Sequence, residues 1–232
     1  MMNFKDYTIS FNHNPTIWFK EINNTIKIAS MNCAGLKAHY EDIIADKKLL
    51  NADIIFLQET SLPEDNSQDY SLSTHPYFIH VSLGKGRGIA AYTKIKWNQV
   101  KIEKTDTMQL LQLTYGEFRI VNIYRSSNCS QHVFCQYVIK YIEEEGPCTI
   151  LGDFNICSRL QKKSTIANCF AKYGFNQLIK EPTHIRGRVI DQIHCRDDGK
   201  FTILDVERMS PYYSDHDALL LSLELKVLII FI

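Results

Sequence analysis

The 232-residue chain has no excess of charge of either sign: 26 Lys and Arg stand against 26 Asp and Glu. A protein that coats nucleic acid shows a basic surplus in its composition, so that class is excluded. There is no C-x-x-C pair, and the seven cysteines (Cys33, Cys129, Cys135, Cys148, Cys157, Cys169, Cys195) are odd in number and scattered. That pattern argues against a disulfide framework or a zinc knuckle and reads as small apolar fillers in a reducing, intracellular compartment. Met1–Asp6 has no apolar run behind a basic start, so no secretory leader is expected. Nor is there an apolar run of the ~20 residues that span a bilayer. The C-terminal tail, residues 226–232, is too short, and the extension back to Ala218 is interrupted by Glu224 and Lys226. It reads as an extended last strand or a frayed end, and no membrane partner is expected. With only ten glycines and six prolines, no linker, repeat or low-complexity tract divides the chain.

What is present is the material for one core. Apolar residues make up 45% of the chain and charged ones 22%, inside the globular range. Residues 1–25 carry six Asn or His and little periodicity, and read as an irregular arm. Residues 26–225 alternate between two periods. Short apolar strands are expected at Ile26–Asn32, Asp53–Leu57, Ile89–Thr93, Cys148–Leu151, Val189–His194, Phe201–Val206 and Ala218–Leu225, with a hairpin from Leu110–Thr114 to Phe118–Ile123. Helical spacing occupies Tyr40–Leu50, Val133–Ile142 and about Ser164–Lys172, the last two stopped at Gly146-Pro147 and Gly174. This is an α/β protein: two mixed β-sheets packed face to face and flanked by helices.

The chemistry gathers at the strand ends. They carry Asn32, Gln58-Glu59, Asn122-Ile123-Tyr124, Gly152-Asp153-Phe154-Asn155, Ile190-Asp191 and Ser214-Asp215-His216. A single carboxylate after a strand is usually only solvated. Four of them (Glu59, Asp153, Asp191, Asp215), with a His, a Tyr and several Asn, bring like charges together, which is costly unless a cation or an imidazolium neutralises them. Carboxylate and amide oxygens without thiolates suit Mg²⁺ or Mn²⁺ better than zinc. Mg²⁺ completes its shell with water and substrate phosphate, which points to phosphoester chemistry.

In this order and spacing, the six motifs resemble the exonuclease–endonuclease–phosphatase superfamily, over about residues 27–225. The resemblance implies a four-layer sandwich of the deoxyribonuclease I type with its active site at one rim. Leu57–Thr60, Tyr124-Arg125-Ser126, Pro182-Thr183-His184 with Gly187, and Tyr212–Asp217 are most similar to the apurinic-type endonuclease domains of mobile elements, non-LTR retrotransposons or Helitron-like elements. By that resemblance Glu59 is the main metal ligand, with Asn32 and Asp215 near it. Asp153, held by Asn155, orients or deprotonates the attacking water. His216, paired with Asp191, contacts the scissile phosphate, and Tyr124 helps stabilise the phosphorane or leaving group. Either Asp153 or the Asp191–His216 pair serves as the base. Asn128 falls where relatives carry a phosphate-contacting Asn, although the usual Pro-Asn step is missing.

The resemblance implies a Mg²⁺-dependent DNA endonuclease leaving a 3′-hydroxyl, with other domains of a mobile-element polyprotein as partners and, in a eukaryote, a nuclear location. No stable oligomer is expected. The alternatives are a superfamily phosphatase or phosphodiesterase acting on lipid or RNA, and a non-catalytic DNA-binding relic. Arg186 and Arg188, flanking Gly187, read equally as phosphate contacts and as surface charge. Gly84-Lys85-Gly86-Arg87-Gly88 lacks the spacing of a nucleotide cradle and reads as a flexible loop before a strand, in a position where the resemblance implies contact with DNA. Tyr212-Tyr213 suits base stacking or core packing, while His184, His194 and Asp217 read as structural or solvated. The neutral total hides opposed stretches. Residues 84–102 hold five basic side chains and no acid, residues 156–196 eight against two acids, and residues 38–70 eight acids against Lys47 and Lys48.

Overall fold

The computed structural model describes residues 5–10, 25–63, 69–82, 87–158 and 165–226. The chain orders as β1 (Lys5–Ser10), β2 (Thr25–Asn32), α1 (Leu36–Ala45), α2 (Lys47–Leu50), β3 (Ile54–Gln58), β4 (Tyr77–Val81), β5 (Ile89–Thr93), β6 (Gln99–Lys104), β7 (Met108–Tyr115) and β8 (Phe118–Arg125). It continues with α3 (Gln131–Ile142), β9 (Cys148–Asp153), α4 (Thr165–Lys172), β10 (Asn176–Gln177), β11 (Asp191–Arg196), β12 (Phe201–Met209) and β13 (Ala218–Leu225).

Two mixed sheets form. One has seven strands in the order β1-β6-β7-β8-β9-β11-β10, the other six in the order β12-β13-β2-β3-β5-β4. Each contains one parallel pair, β8 with β9 and β2 with β3. Each pair is joined through helix, as parallel strands require a crossover. The sandwich is legible in the burial of single strands. In β3, Ile54 and Phe56 face the core between the sheets while Ile55 and Leu57 face α1 and α2, so all five positions are buried and the strand reads as a continuous apolar run. Across the sandwich, Leu151 joins the inter-sheet core and Ile150 packs under α3 and α4. Helix, sheet, sheet, helix is the resulting layering. Among the described residues no helix is long and apolar enough to cross a membrane, and all seven cysteines are free.

Three departures from the sequence reading have physical causes. The helix expected over Tyr40–Leu50 is two helices. The Asp46 backbone turns extended (ψ 94) to end α1, and its carboxylate accepts from the Lys48 and Leu49 amides to cap α2. Within the stretch read as an irregular arm, Lys5–Ser10 is a strand on the edge of the larger sheet, antiparallel to β6; the rest of that stretch up to Asn24 lies outside the described residues, as do 227–232 of the tail. Lastly β12 runs to Met209 as an edge strand with a bulge between Ile203 and Asp205, and its exposed positions leave no clean alternation to read. By contrast Gly174 stops α4 as expected: at φ +78 it lets Phe175 N–H reach Phe170 O and its own N–H reach Ala171 O, a Schellman cap.

Candidate active site at the sandwich rim

Strand direction assembles the site. The parallel strands β2, β3, β8 and β9 end at one rim, and β11 and β13 begin there. Register then sets neighbours: Asn32 lies beside Gln58 in the smaller sheet, and Tyr124, Asp153 and Asp191 form a row across the larger one. Side chains tie the two rims together. Asn32 Nδ2 donates to Asp153 Oδ2 (3.0 Å), Tyr124 OH to Glu59 Oε1 (2.9 Å), and Gln58 Nε2 to Asn122 Oδ1 (2.6 Å). These contacts join positions 121, 65 and 64 residues apart.

Asp153 is fully buried at the centre. Its Oδ1 accepts from the Asn155 amide (2.8 Å) and its Oδ2 from Asn155 Nδ2 (3.1 Å) as well as from Asn32. Burial, then the neighbouring Asp191 charge, lift its pKa to about 7 against the opposing effects of His216 and the hydrogen bonds. Asn155 reaches back to Asp153 because its backbone is left-handed, φ +51; Ala34 (φ +48) and Glu59 (φ +53), each just beyond a strand end, share that conformation. Left-handed non-glycine backbone persists where the surrounding structure holds it, and here it clusters at the rim.

Asp191 begins β11 with its N–H on Thr183 Oγ1 (3.0 Å), and both its carboxylate oxygens lie 3.0 Å from His216 Nδ1. Burial disfavours the imidazolium, but the hydrogen bond and charge of Asp191, with Asp153 and Asp215 behind it, raise His216 to about 9. The proton on Nδ1 faces Asp191, leaving Nε2 as the other donor of the imidazolium. Tyr124, buried at the rim, is pushed well above the ordinary phenol by burial and by Glu59, so its hydroxyl stays a donor. Cys33 beside Asn32 is pushed up to about 12 by burial and remains a thiol.

The donors fit a hard cation better than a soft one: the carboxylates of Glu59, Asp153 and Asp215 and the Asn32 amide oxygen offer oxygen only. Among the described residues, His, Cys, Asp and Glu ligand atoms close to within 4.8 Å in two groups, Asp153–Asp191–His216 and His184–Asp215–His216. Glu59 belongs to neither. Asp215, expected beside Glu59, is exposed and pairs with His184 Nε2 at 3.3 Å.

The remaining expectations separate. Arg186 is exposed and Arg188 partly buried, on a small hairpin where Ile185 N–H bonds Asp215 O (3.0 Å) and His184 bridges His216, so both border the site. Asn128 is exposed on the loop after β8, and among the described residues no hydrogen bond or ion pair ties its side chain to the rim. Residues 84–86 of the glycine loop lie outside the described residues. Its end is anchored beside Glu59, with Thr60 N–H on Gly88 O (3.1 Å) and Ser61 N–H on Arg87 O (2.8 Å). Tyr213 is buried, whereas Tyr212 is 86% exposed. His194 is structural, stacked on Phe154 and Phe170, and Asp217 pairs with Arg208.

Two residues matter more than sequence reasoning suggested. Thr183 Oγ1 accepts from both Ile190 and Asp191 amides and fixes where β11 begins. His184 accepts the Arg186 amide at Nδ1 (3.0 Å) and meets the His216 ring edge-on, centroids 4.7 Å apart. The Pro182-Thr183-His184 motif was the available signal.

Comparison with known proteins agrees with this geometry. No curated protein matches the chain. Among solved structures, a variant of the 3′ phosphatase NExo from Neisseria, bound to product DNA hairpin, superposes with a TM-score of 0.64 at 16% identity, covering 84% of this chain and 98% of that one. The 3′-5′ exonuclease NExo from Neisseria meningitidis gives 0.63 at 17%, covering 87% and 100%. The endonuclease domain of TRAS1, a telomere-specific non-LTR retrotransposon, gives 0.62 at 12%, covering 88% and 100%. These likenesses establish the fold, and the family model matched over residues 29–216 spans the site from Asn32 to His216: the chain belongs to the Endonuclease/Exonuclease/phosphatase family.

Proposed function

We propose that the protein is a divalent-metal-dependent DNA endonuclease that hydrolyses a phosphodiester to leave a 3′-hydroxyl, and that it derives from a mobile element. The observation that carries this reading is the pairing of two buried acid–base groups of opposite bias at one rim. Asp153 is raised to about 7 and can take a proton from water near neutral pH, while His216 is raised to about 9 and stays cationic to meet phosphate. The match to a family that includes endonucleases and the fold shared with a retrotransposon endonuclease domain support it.

Bound Mg²⁺ would neutralise phosphate charge, and Glu59, Asn32 and Asp215 are the residues that would hold it. The chain's own groups do the rest. Asp153, oriented by Asn155 and Asn32, aligns a water for in-line attack and accepts its proton. The imidazolium of His216, oriented by Asp191, donates to a non-bridging oxygen, and the Tyr124 hydroxyl donates where charge develops on the phosphorane or the departing 3′-oxygen. Arg186 and Arg188 flank this centre and suit the neighbouring phosphates. Binding to DNA, a place beside other domains of a mobile-element polyprotein and a nuclear location in a eukaryote belong to the same reading.

The test incubates the protein with supercoiled plasmid, an abasic duplex, a 3′-phosphate hairpin and a phosphoinositide, each with Mg²⁺ and with EDTA. Nicking of plasmid with Mg²⁺ alone is expected, and Asp153→Ala and His216→Ala each lower it by at least ~10²-fold. Phosphate release from lipid or from the hairpin with intact plasmid would replace the reading with a phosphatase. Nicking by both variants at the wild-type rate would dismiss the site.

A further inference from the structure

We infer that Arg125 is a positioning residue for the hydrolytic step, acting through Asn155 to hold Asp153 in its attacking geometry; this rests on the role given to Asp153 above. Arg125 ends β8, one residue past Tyr124, and is only 4% exposed. Because β8 and β9 are parallel with Tyr124 opposite Asp153, Arg125 lies alongside the turn that follows Asp153. Its Nη1 donates to Phe154 O (3.1 Å) and Asn155 O (3.4 Å), and its Nη2 donates to Cys129 O. In return its own carbonyl accepts from Asn155 Nδ2 (2.9 Å), the same amide group that donates to Asp153 Oδ2.

The arrangement is reciprocal and specific. β9 ends at Asp153, so the carbonyls of Phe154 and Asn155 have left the sheet ladder, and a buried carbonyl without a donor costs ~1–3 kcal/mol. The guanidinium serves both and reaches across to the loop before α3, which a single ammonium cannot do from one point. It thereby holds Asn155 in its left-handed conformation, φ +51. In that conformation the Asn155 main-chain and side-chain N–H groups both face the Asp153 carboxylate. Burying a cation against neutral carbonyls is expensive, and tying a loop to the core would not require reciprocal bonds to the residue that grips Asp153.

Arg125→Met is expected to lower kcat for Mg²⁺-dependent nicking ~10- to 100-fold with KM within two-fold, the scale of a displaced reacting group. Acting through Asn155, it should cost less than ~3-fold in an Asn155→Ala background. Full additivity of the two substitutions, a change in KM alone, or wild-type kcat overturns the inference. Arg125→Lys keeps the charge and most of the stem, is the variant to measure if the methionine one does not fold, and should fall between the two. An activity-free readout separates this inference from the proposed function. By NMR, hydrogen exchange at the Asn155 amide should quicken at least ~10-fold in the Arg125 variant while amides of β3 stay unchanged. If the wild type nicks no DNA, the functional reading fails and exchange alone decides for Arg125; unchanged exchange at Asn155 refutes the positioning role.

Discussion

Replacing Asp191 by Asn tests the electrostatic reading of the rim because it removes one charge and leaves an oxygen that can still accept from His216 Nδ1. With a pKa of about 9, His216 in the wild type is about 97% protonated at pH 7.5. The groups that raise it are headed by Asp191, by hydrogen bond and by charge, while burial pulls the other way and is the largest single influence. Without the Asp191 charge, His216 falls toward or below the ordinary 6.5, and less than about a tenth stays protonated at pH 7.5. Nicking at that pH should drop by at least ~10-fold. The pH profile should move as well as fall. In the wild type the rate rises as Asp153 loses its proton, near about 7, and falls as His216 loses its own, near about 9. Asp191 also raises Asp153, second only to burial, so in Asp191→Asn both limbs move to lower pH and part of the lost activity returns near pH 6. Initial rates on supercoiled plasmid at fixed Mg²⁺, from pH 5.5 to 9.5, give the comparison. The cation's own charge then acts on both proteins alike. A variant that keeps the wild-type rate at pH 7.5, or loses activity equally at every pH with its alkaline limb in place, refutes the claim that Asp191 acts by holding His216 protonated.

Two further substitutions test the frame that carries the site. Gly152→Ala would place a Cβ 2.1 Å from Ile123 O on a backbone with φ +130, so chemical denaturation should show a loss of more than ~2 kcal/mol, and stability within ~0.5 kcal/mol of wild type would contradict the close approach of β8 and β9. His194 is buried neutral, with its pKa lowered to about 3 by burial, so between pH 6.5 and 3 the unfolded chain binds a proton that the folded one does not, and stability is full above 6.5 and lost as pH falls. From this group alone, denaturation at pH 5 should show about 2 kcal/mol less stability than at pH 7, and His194→Phe should abolish that difference.

The strands that position the site were the most legible part of the molecule, for a physical reason. β3 and β9 are buried on both faces, so each is an apolar run that stops at a polar residue, and Gln58 and Asp153 mark those stops. The edge strands offered no such contrast. β4 is mostly half-exposed and β10 has two residues, so neither stood out from loop. The pairing of Asp191 with His216 was readable from the motifs. The support beneath it was not, because Thr183 and Arg125 act on main-chain amides and carbonyls, and a backbone group carries no residue type to search for. Asp215 shows the same limit from the other side. Its place in the motif suggested a metal ligand, and its side-chain partner, His184, which stands with it and His216 in a group close enough to share an ion, lies in a separate hairpin that reaches it only through the fold.

The neutral composition can now be set against the site. The rim needs acids at its centre and bases around it, and the sequence stretches divide accordingly. Glu59 lies within the acidic stretch, Asp153 just before the second basic one and Asp191 within it, and Arg186 and Arg188 flank Asp191 on the hairpin that touches Asp215. The buried carboxylates do not attract phosphate and would repel it, so their role depends on keeping a cation between them and the substrate. His216 is one such cation, built in and fixed by Asp191 at 3.0 Å. If the proposed function holds, affinity for a strand then comes from the exposed bases. That makes binding modest and sensitive to salt, while the cut itself depends on groups that salt does not reach, since buried pairs are screened far less than surface ones. Raising ionic strength should therefore weaken KM and leave kcat nearly unchanged, a separation that a protein binding DNA chiefly through its catalytic centre would not show.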